Sequence, residues 1–447
     1  MKIDNSRQAA FSTLLHIEKD SAYTNLALNS ALDSNKLDAR DSAFCSALIY
    51  GVAERQITLD WLLSNQLQKP IKQLRPPVLI ALRMGVYQLF FMDSVPASAA
   101  VNTTVQLLKS NGCAYASGLA NAVLRKCSAA RLNFPKRNEP NYFSVTYSVQ
   151  PWLVDMWIDA YGQSNAEELL KASLQNSESY IRVNTAKTTR EGLIAKLADE
   201  SIEATQSSIL PNAAILPKGI APQKTKSFVN GLYHAQGLAS QYCVAALNPK
   251  PGERVLDICA APGGKTFTIA QELLSSNSHT ANGNIVSLEL HEHRAELIRK
   301  GALRLGLDNI TVRTADSSKI RTDELGMFDA VLCDAPCSGL GTLGKKPDIR
   351  RKTSESLDNL PEIQYTLLIS AAGFVRRGGR LVYSTCTLNP AENEDICSRF
   401  LAENPEFKAD TKFLPQLVRT NPDSSFLSLF PHIHFCDGFF IALFTKG

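Results

Sequence analysis

Apolar positions in the first 135 residues recur at three- and four-residue intervals, which predicts helices. Phe11, Leu14 and Leu15 make one stripe, and Phe44, Leu48 and Val52 make a second. Pro76-Pro77 opens a run, Val78 to Leu82 and on through Val86, Leu89 and Phe90, that is apolar on most faces and reads as a central helix. Val101, Val105 and Leu108, then Leu119 and Val123, extend the same pattern. No internal repeat and no low-complexity stretch interrupts it. Residues 1–135 are therefore expected to form an all-helical domain, followed by a linker over 126–145 that is rich in Pro and charge.

The spacing then becomes mixed. Trp152 to Tyr161 reads as a short aromatic helix, Ile181-Arg-Val-Asn184 as a strand, Thr189 to Leu197 as a helix and Ser227 to Tyr233 as a further strand. Residues 140–240 are expected to form a small α+β domain, in which Arg182 and Asn184 are open to two roles, nucleic-acid backbone contact or internal bonding. From 241 onward strands and helices alternate. Strands are predicted at 254–258, 284–288, 310–313, 328–333, 379–384 and 438–445, with helices between the first five and an antiparallel last strand. That alternation is the mark of an α/β domain with a doubly wound, mostly parallel sheet over residues 241–447.

Composition adds little constraint. The 447 residues are 44% hydrophobic and 20% charged, with no apolar run long enough to span a membrane, so no membrane role is expected. The N-terminus, Met1 to Arg7, leads into an amphipathic helix and does not resemble a signal peptide. Ten cysteines without disulfide-type spacing fit a reducing, cytoplasmic compartment. Net charge is +4 overall, but residues 1–135 carry 14 Lys and Arg against 9 Asp and Glu, so the excess lies there. A basic N-terminal part points to a polyanionic partner.

The chemistry concentrates at three strand ends. Val255 to Ile258 is a short buried strand, a turn Cys259-Ala260-Ala261-Pro262-Gly263-Gly264 follows, and Lys265 opens a helix. In a doubly wound sheet such a turn sits at the ligand-binding edge. A P-loop would need glycine where Cys259 stands, and the Gly-x-Gly-x-x-Gly fingerprint is absent, so neither a nucleoside triphosphate nor a dinucleotide fits. Glu289, at the tip of the next strand, is placed to accept from ribose hydroxyls. An adenosyl ligand with few phosphates is expected. Asp334-Ala-Pro-Cys337-Ser-Gly339 ends the fourth strand and Ser384-Thr-Cys386-Thr387 the fifth. Cys337 and Cys386 should converge beside the turn, with Asp334 as a nearby acid and Lys265 as the nearest cation able to favour a thiolate.

Other groups are read differently. Cys45, Cys259 and Cys333 lie in apolar runs and read as core fillers. No metal is expected. Pro336-Cys337 is not followed by the second cysteine of a zinc deaminase motif. His432, His434 and Cys436, read as alternating on one strand face, would put the outer two about 13 Å apart at strand rise. Lys345 to Lys352 holds five basic residues in eight directly after the Cys337 loop and is expected to contact phosphate.

Two resemblances follow from these motifs. Arg7-Gln-Ala-Ala-Phe11, Ile49 to Arg55, Leu82 to Leu89 and Gly118 to Arg125 resemble the NusB antitermination fold, a helical RNA-binding module. Leu256 to Thr266, Asp334 to Gly339 and Ser384 to Thr387 resemble the motifs of RNA 5-methylcytosine methyltransferases. In this order the chain resembles the 16S ribosomal RNA methyltransferase B family, also called Sun or Fmu. The resemblance implies a NusB-like domain, a small α+β domain and a Rossmann-like class I S-adenosylmethionine-dependent methyltransferase domain. It implies S-adenosylmethionine as cofactor, S-adenosylhomocysteine as product, and naked or early-assembly 16S ribosomal RNA as partner of a monomeric enzyme. It further implies that Cys259, Ala260, Ala261, Pro262, Gly263, Gly264 and Lys265 wrap the cofactor's methionine part, Glu289 its ribose and Asp316 its adenine. Asp334 would lie between cofactor and base, Cys386 would be the nucleophile, and Cys337 would help release the product. Two positions depart from the family pattern: Glu289, where relatives often carry Asp, and Gly237, where an acid is usual. An RNA-binding assembly factor with an idle catalytic core, and an enzyme acting on transfer RNA, are the alternative functions.

Overall fold

The computed structural model describes residues 5–20, 23–35, 37–130, 133–175, 178–274, 283–410 and 424–447. The sequence readings on Met1 to Asp4 and on Arg131 fall outside them. No described helix is long and apolar enough to cross a membrane. The chain divides into two compact units, Met1–Leu174 with Leu343–Ser354, and Gln175–Thr342 with Glu355–Gly447.

The first unit is helical, with α1 (Asn5–Asp20), α2 (Thr24–Asn35), α3 (Ala39–Glu54), α4 (Gln56–Ser64), α5 (Pro76–Phe91), α6 (Ala97–Ser110), α7 (Ser117–Ala129), α8 (Tyr142–Tyr147) and α9 (Pro151–Ala172). α5 is the central helix that its composition predicts, burying Val78, Ile80, Ala81, Leu82, Met84 and Val86. Phe11, Leu14, Leu48 and Val52 pack into the same core, and truncating one such leucine to alanine costs about 2–5 kcal/mol. Leu119 is an exception: it faces outward at 39% exposure, while Val123, read in the same stripe, is buried with Ala120 and Leu124. The two ends of the expected linker are helical, because α7 runs to Ala129 and α8 begins at Tyr142. The aromatic helix ends where predicted: Gly162, at φ +77°, breaks the helical path of α9 after Tyr161, and a second helical stretch continues to Ala172.

Residues 343–354, from the basic run, pack in this first unit, and here the expectation of phosphate contact is corrected in part. Arg350 is 1% exposed. It donates to the carbonyl oxygens of Tyr147 (2.9 Å) and Ser173 and approaches Glu54 at 3.7 Å. Arg351 donates to Gln56 and Asp348, and Asp348 accepts from the amide and hydroxyl of Thr24. These charges anchor a segment, since a buried guanidinium needs every available acceptor. Lys345 and Lys346 lie at the surface.

The second unit begins with β1 (Ser179–Val183), α10 (Arg190–Asp199), β2 (Thr205–Gln206), β3 (Ala213–Leu216), α11 (Lys226–Val229), β4 (Tyr233–Ala235) and α12 (Leu238–Leu247). The four strands form an antiparallel sheet in the order β2-β3-β1-β4. The strand predicted over 227–233 is instead the short helix α11 followed by β4. Thr225 caps that helix through the Phe228 amide, and Glu200 accepts from the amides of Lys226 and Ser227. Arg182 pairs with Glu272, and Asn184 donates to the carbonyls of Gly231 and Leu305, so both act internally.

There follow β5 (Arg254–Asp257), α13 (Gly264–Glu272), β6 (Asn284–Glu289), α14 (Glu292–Leu305), β7 (Ile310–Thr314), α15 (Thr322–Leu325) and β8 (Phe328–Asp334). The chain closes with α16 (Leu360–Gly373), β9 (Val375–Thr385), α17 (Glu394–Glu403), β10 (Phe407–Ala409), β11 (Leu427–Leu429), α18 (Pro431–His434) and β12 (Phe439–Lys446). Their sheet runs β10-β12-β9-β8-β5-β6-β7, with β11 on β12; β5 to β9 are parallel and β12 is antiparallel. Side chains alternate between two cores. Val255, Ile285, Ala330, Leu332 and Val382 bury on one face, and Leu256, Val286, Val331, Cys333 and Leu381 on the other. Helices therefore cover both faces, and the strand order reverses at β5, where such sheets bind ligands. His432 and His434 lie in the helical turn α18 and not on a strand, because Pro431 starts a helix and the His434 ring bonds back to Phe430.

Candidate active site

The ligand turn follows from its sequence. β5 ends at Asp257, and Gly263, at φ +106°, caps α13 in a conformation that other residues rarely adopt. A Cβ on Gly264 would meet nothing nearer than Gln236 at 3.9 Å, so the turn keeps an open, side-chain-free wall. Gln236 braces it by donating to the Gly264 carbonyl (3.0 Å) while accepting from Thr268 (2.8 Å). Sequence reasoning missed this residue; it lies beside Gly237, where the chain departs from the family pattern.

Carboxylates surround the turn. Glu289, 3% exposed, accepts from the Ala261 amide (3.3 Å), the His291 amide (3.2 Å) and Arg294 (3.3 Å). Asp316, beyond β7, is bonded to Ser318 and Lys319. Beneath the turn Asp257 accepts from Thr266 (2.7 Å), and burial pushes its carboxyl up to about 7. A turn of open glycines ringed by acids accepts a ligand bearing an amine and hydroxyls and disfavours phosphates. The residues present thus fit S-adenosylmethionine better than ATP.

Cys259 is partly exposed at the head of the turn, unlike the buried Cys45 and Cys333; desolvation and the carboxylate of Asp257 raise its thiol. It is poorly suited to be a nucleophile.

The register of β8 against β9 sets the rest. Asp334 pairs with Ser384, and the Ser384 hydroxyl donates to Asp334 Oδ1 (2.8 Å). Lys265 Nζ lies 2.6 Å from Asp334 Oδ2 and 5.1 Å from the Phe439 ring centroid. Burial works against the Lys265 charge, but Asp334 outweighs it and holds the ammonium above its ordinary range. Just beyond the strand ends, Cys337 Sγ and Cys386 Sγ are 3.2 Å apart. The Cys337 thiol is raised well above the ordinary range, first by its hydrogen bond with Cys386 and then by burial. The two thiols share one hydrogen bond, in which either sulfur can donate. Gly341 donates to the Cys386 carbonyl (3.1 Å) and Gly438 to the Gly341 carbonyl (2.8 Å), in a close approach where any Cβ on Gly341 would collide. The predicted cluster of Cys386, Cys337, Asp334 and Lys265 comes together at one edge.

Comparison with known proteins matches this geometry. The family described as 16S rRNA methyltransferase RsmB/F matches residues 244–445, the NusB family residues 4–129, and a ferredoxin-like domain of RsmF/B-like methyltransferases residues 150–222. The probable ribosomal RNA small subunit methyltransferase B of Bacillus subtilis (strain 168) is 36% identical over 453 residues, covering 100% of both chains. The chain belongs to this family. A Synechocystis relative with the same description is 36% identical over 99% of this chain and 100% of its own. Among solved structures, PH0851 superposes with a TM-score of 0.83 at 26% identity over 100% of both chains. A methyltransferase homolog protein from Pyrococcus horikoshii gives 0.59 at 27% identity over 70% of this chain and all of its own. The helical NusB-like unit and the Rossmann-like methyltransferase sheet are therefore shared features. By internal contacts residues 142–172 group as α8 and α9 with the first unit, whereas the ferredoxin-like family match takes residues 150–222 together, as the sequence reading does.

Proposed function

We propose that this protein transfers a methyl group from S-adenosylmethionine to C5 of a cytosine in 16S ribosomal RNA through a covalent Cys386 adduct. The observation that carries the reading is the 3.2 Å pair of cysteines beside the Lys265–Asp334 ion pair, at the carboxyl edge where the ligand turn opens. Membership of the ribosomal RNA small subunit methyltransferase B family supports it.

The residues divide the work. The turn from Cys259 to Lys265 holds the cofactor's methionine part, Glu289 the ribose and Asp316 the adenine. S-adenosylmethionine, when bound, supplies an electrophilic methyl on a sulfonium. C5 of cytosine is too weak a nucleophile to take it unaided. Lys265, kept charged by Asp334, is the cation acting on Cys386 and favours its thiolate. The thiolate attacks C6, the new carbon–sulfur bond moves electron density to C5, and Asp334 hydrogen-bonds the base edge around N3 and N4. After methylation the C5 proton passes to solvent, its electron pair restores the C5–C6 double bond, and Cys386 leaves as thiolate. The Cys337 thiol, donating to that sulfur, stabilises the departing charge. The base must be unpaired or turned out of its stack to reach the site, which favours free or early-assembly RNA as substrate.

The test uses purified protein, S-adenosylmethionine and 16S ribosomal RNA, with bisulfite mapping of the product. A single 5-methylcytosine is expected, and 5-fluorocytosine RNA, which has no C5 proton to lose, should remain bonded to the protein. Methylation of another base, or ATP displacing S-adenosylhomocysteine, would overturn the reading.

A further inference from the structure

Glu392 has no role in the chemistry described so far, yet it is 0% exposed. It sits at the end of a single turn, Pro390–Glu392, directly after the Cys386 loop. Four donors meet its carboxylate. Oε2 accepts from the Ser338 amide (2.8 Å) and from Gln364 Nε2 (2.8 Å), and Oε1 from the Ser338 hydroxyl (2.5 Å) and Asn389 Nδ2 (2.9 Å). Every one of these donors is neutral, and no ion pair reaches this carboxylate among the described residues. A carboxylate in that state is costly unless its bonds are all made.

The bonds join the two cysteine loops. Ser338 follows Cys337, and its hydroxyl also lies 2.7 Å from the Thr387 hydroxyl, which follows Cys386. Gln364 donates to the carbonyl of Pro336, which precedes Cys337 (2.9 Å). The neighbouring Asn393 accepts from Thr385 (2.6 Å) and donates to the Thr387 carbonyl (3.0 Å), bracketing Cys386 in the same way. The Tyr383 hydroxyl fixes the Glu392 carbonyl (2.7 Å).

We propose that Glu392 is a positioning residue that clamps Ser338 and thereby sets the distance and orientation of the Cys337 and Cys386 sulfurs. The clamp requires a carboxylate. Both oxygens receive N–H donors, so the amide group of a glutamine would face a donor in either orientation. The same negative charge, together with Cys386 and Asp334, opposes ionisation of Cys337. The inference rests on the two-cysteine reading above, but its test does not depend on RNA.

Full-length protein is treated with a diazenedicarboxamide oxidant, which takes two electrons and two protons from the thiols as Cys337 and Cys386 join. The rate of that disulfide, resolved by peptide mass spectrometry, reads the spacing directly. Glu392→Gln should form it about tenfold more slowly than wild type, as expected when an oriented pair loses its alignment. S-adenosylhomocysteine affinity should change little, while the unfolding midpoint should fall modestly because one buried donor loses its acceptor. In RNA methylation the same variant should lose kcat with KM unchanged. A disulfide rate equal to wild type in folded Glu392→Gln overturns the proposal, whatever the methylation assay shows. Loss of methylation by wild type with the rate difference intact would instead sink the functional reading alone. If Glu392→Gln does not fold, Ser338→Ala decides. It keeps the carboxylate and removes the hydroxyl link, so slowed coupling supports the clamp and an unchanged rate refutes it.

Discussion

The Lys265–Asp334 pair offers the most direct test of the site's energetics. Lys265→Met removes the ammonium and keeps an unbranched stem over Phe439, so that Asp334 keeps the Ser384 hydroxyl and loses its cation. Lys265 is 12% and Asp334 28% exposed, so neither charge is well solvated. Removing one partner of a buried pair costs about 3–5 kcal/mol, and the partial exposure of Asp334 places this case near 3. Asp334→Asn strands the ammonium and should cost a similar amount. The double variant should then cost about 2 kcal/mol less than the sum of the singles, because both remove the same interaction. Guanidinium unfolding measures this. Trp61, Trp152 and Trp157 are the only tryptophans and lie in the first unit. Their fluorescence therefore follows that unit, while far-UV circular dichroism follows both and reveals the second. Singles that add to within about 0.5 kcal/mol would refute the coupling. The double variant should therefore be slightly less stable than either single, yet clearly more stable than their sum predicts, and it should stay inactive, since Lys265 no longer acts on Cys386.

Cys386→Ala should bind cofactor and RNA yet form neither adduct nor product, whereas Cys337→Ala should accumulate a protein–RNA adduct on a denaturing gel; the reverse pattern would exchange their roles. Asp257→Asn should stabilise the protein above pH 7 and change little near pH 4. The raised carboxyl binds its proton more tightly folded than unfolded between about pH 3.9 and 7, so its contribution falls as pH rises through that window, by up to about 4 kcal/mol; equal gains at both pH values would refute this. His234 has the opposite sign. Burial lowers its imidazole to about 3, so stability is lost as pH falls from about 6.5 toward 3, and His234→Asn should flatten that acid limb in a thermal-melt series. Deleting residues 1–135 should weaken RNA binding and also lower kcat. The deletion removes Thr24, Glu54 and Gln56, the anchors of the 343–354 segment that continues in the chain from the Cys337 loop. An unchanged kcat would show that this anchoring has no catalytic role.

Much of the architecture was legible in the sequence because it depends on local periodicity. The three- and four-residue spacing around Val78 to Phe90 specified a buried helix, and the strand–turn–helix at Val255 to Lys265 specified the ligand edge, since a glycine turn and a β5-type strand carry their geometry with them. The convergence of Cys337, Cys386, Asp334 and Lys265 was legible because each sits at a strand or helix end, and topology brings such ends together. Local pattern failed where a distant partner decided the outcome. Residues 227–229 are helical because Glu200 and Thr225 supply caps, and Arg350, read as a surface cation, is drawn inside by carbonyls of Tyr147 and Ser173 more than 170 positions away. Glu392 could have been suspected from the polar run Asn389-Pro-Ala-Glu392-Asn393 after a strand end. Its bonds to Ser338 and Gln364, however, come from a loop 54 residues away and a helix 28 residues away. Periodicity fixes which face of an element is buried, whereas the partners of a buried charge are chosen by the whole fold, because only there do the donors converge.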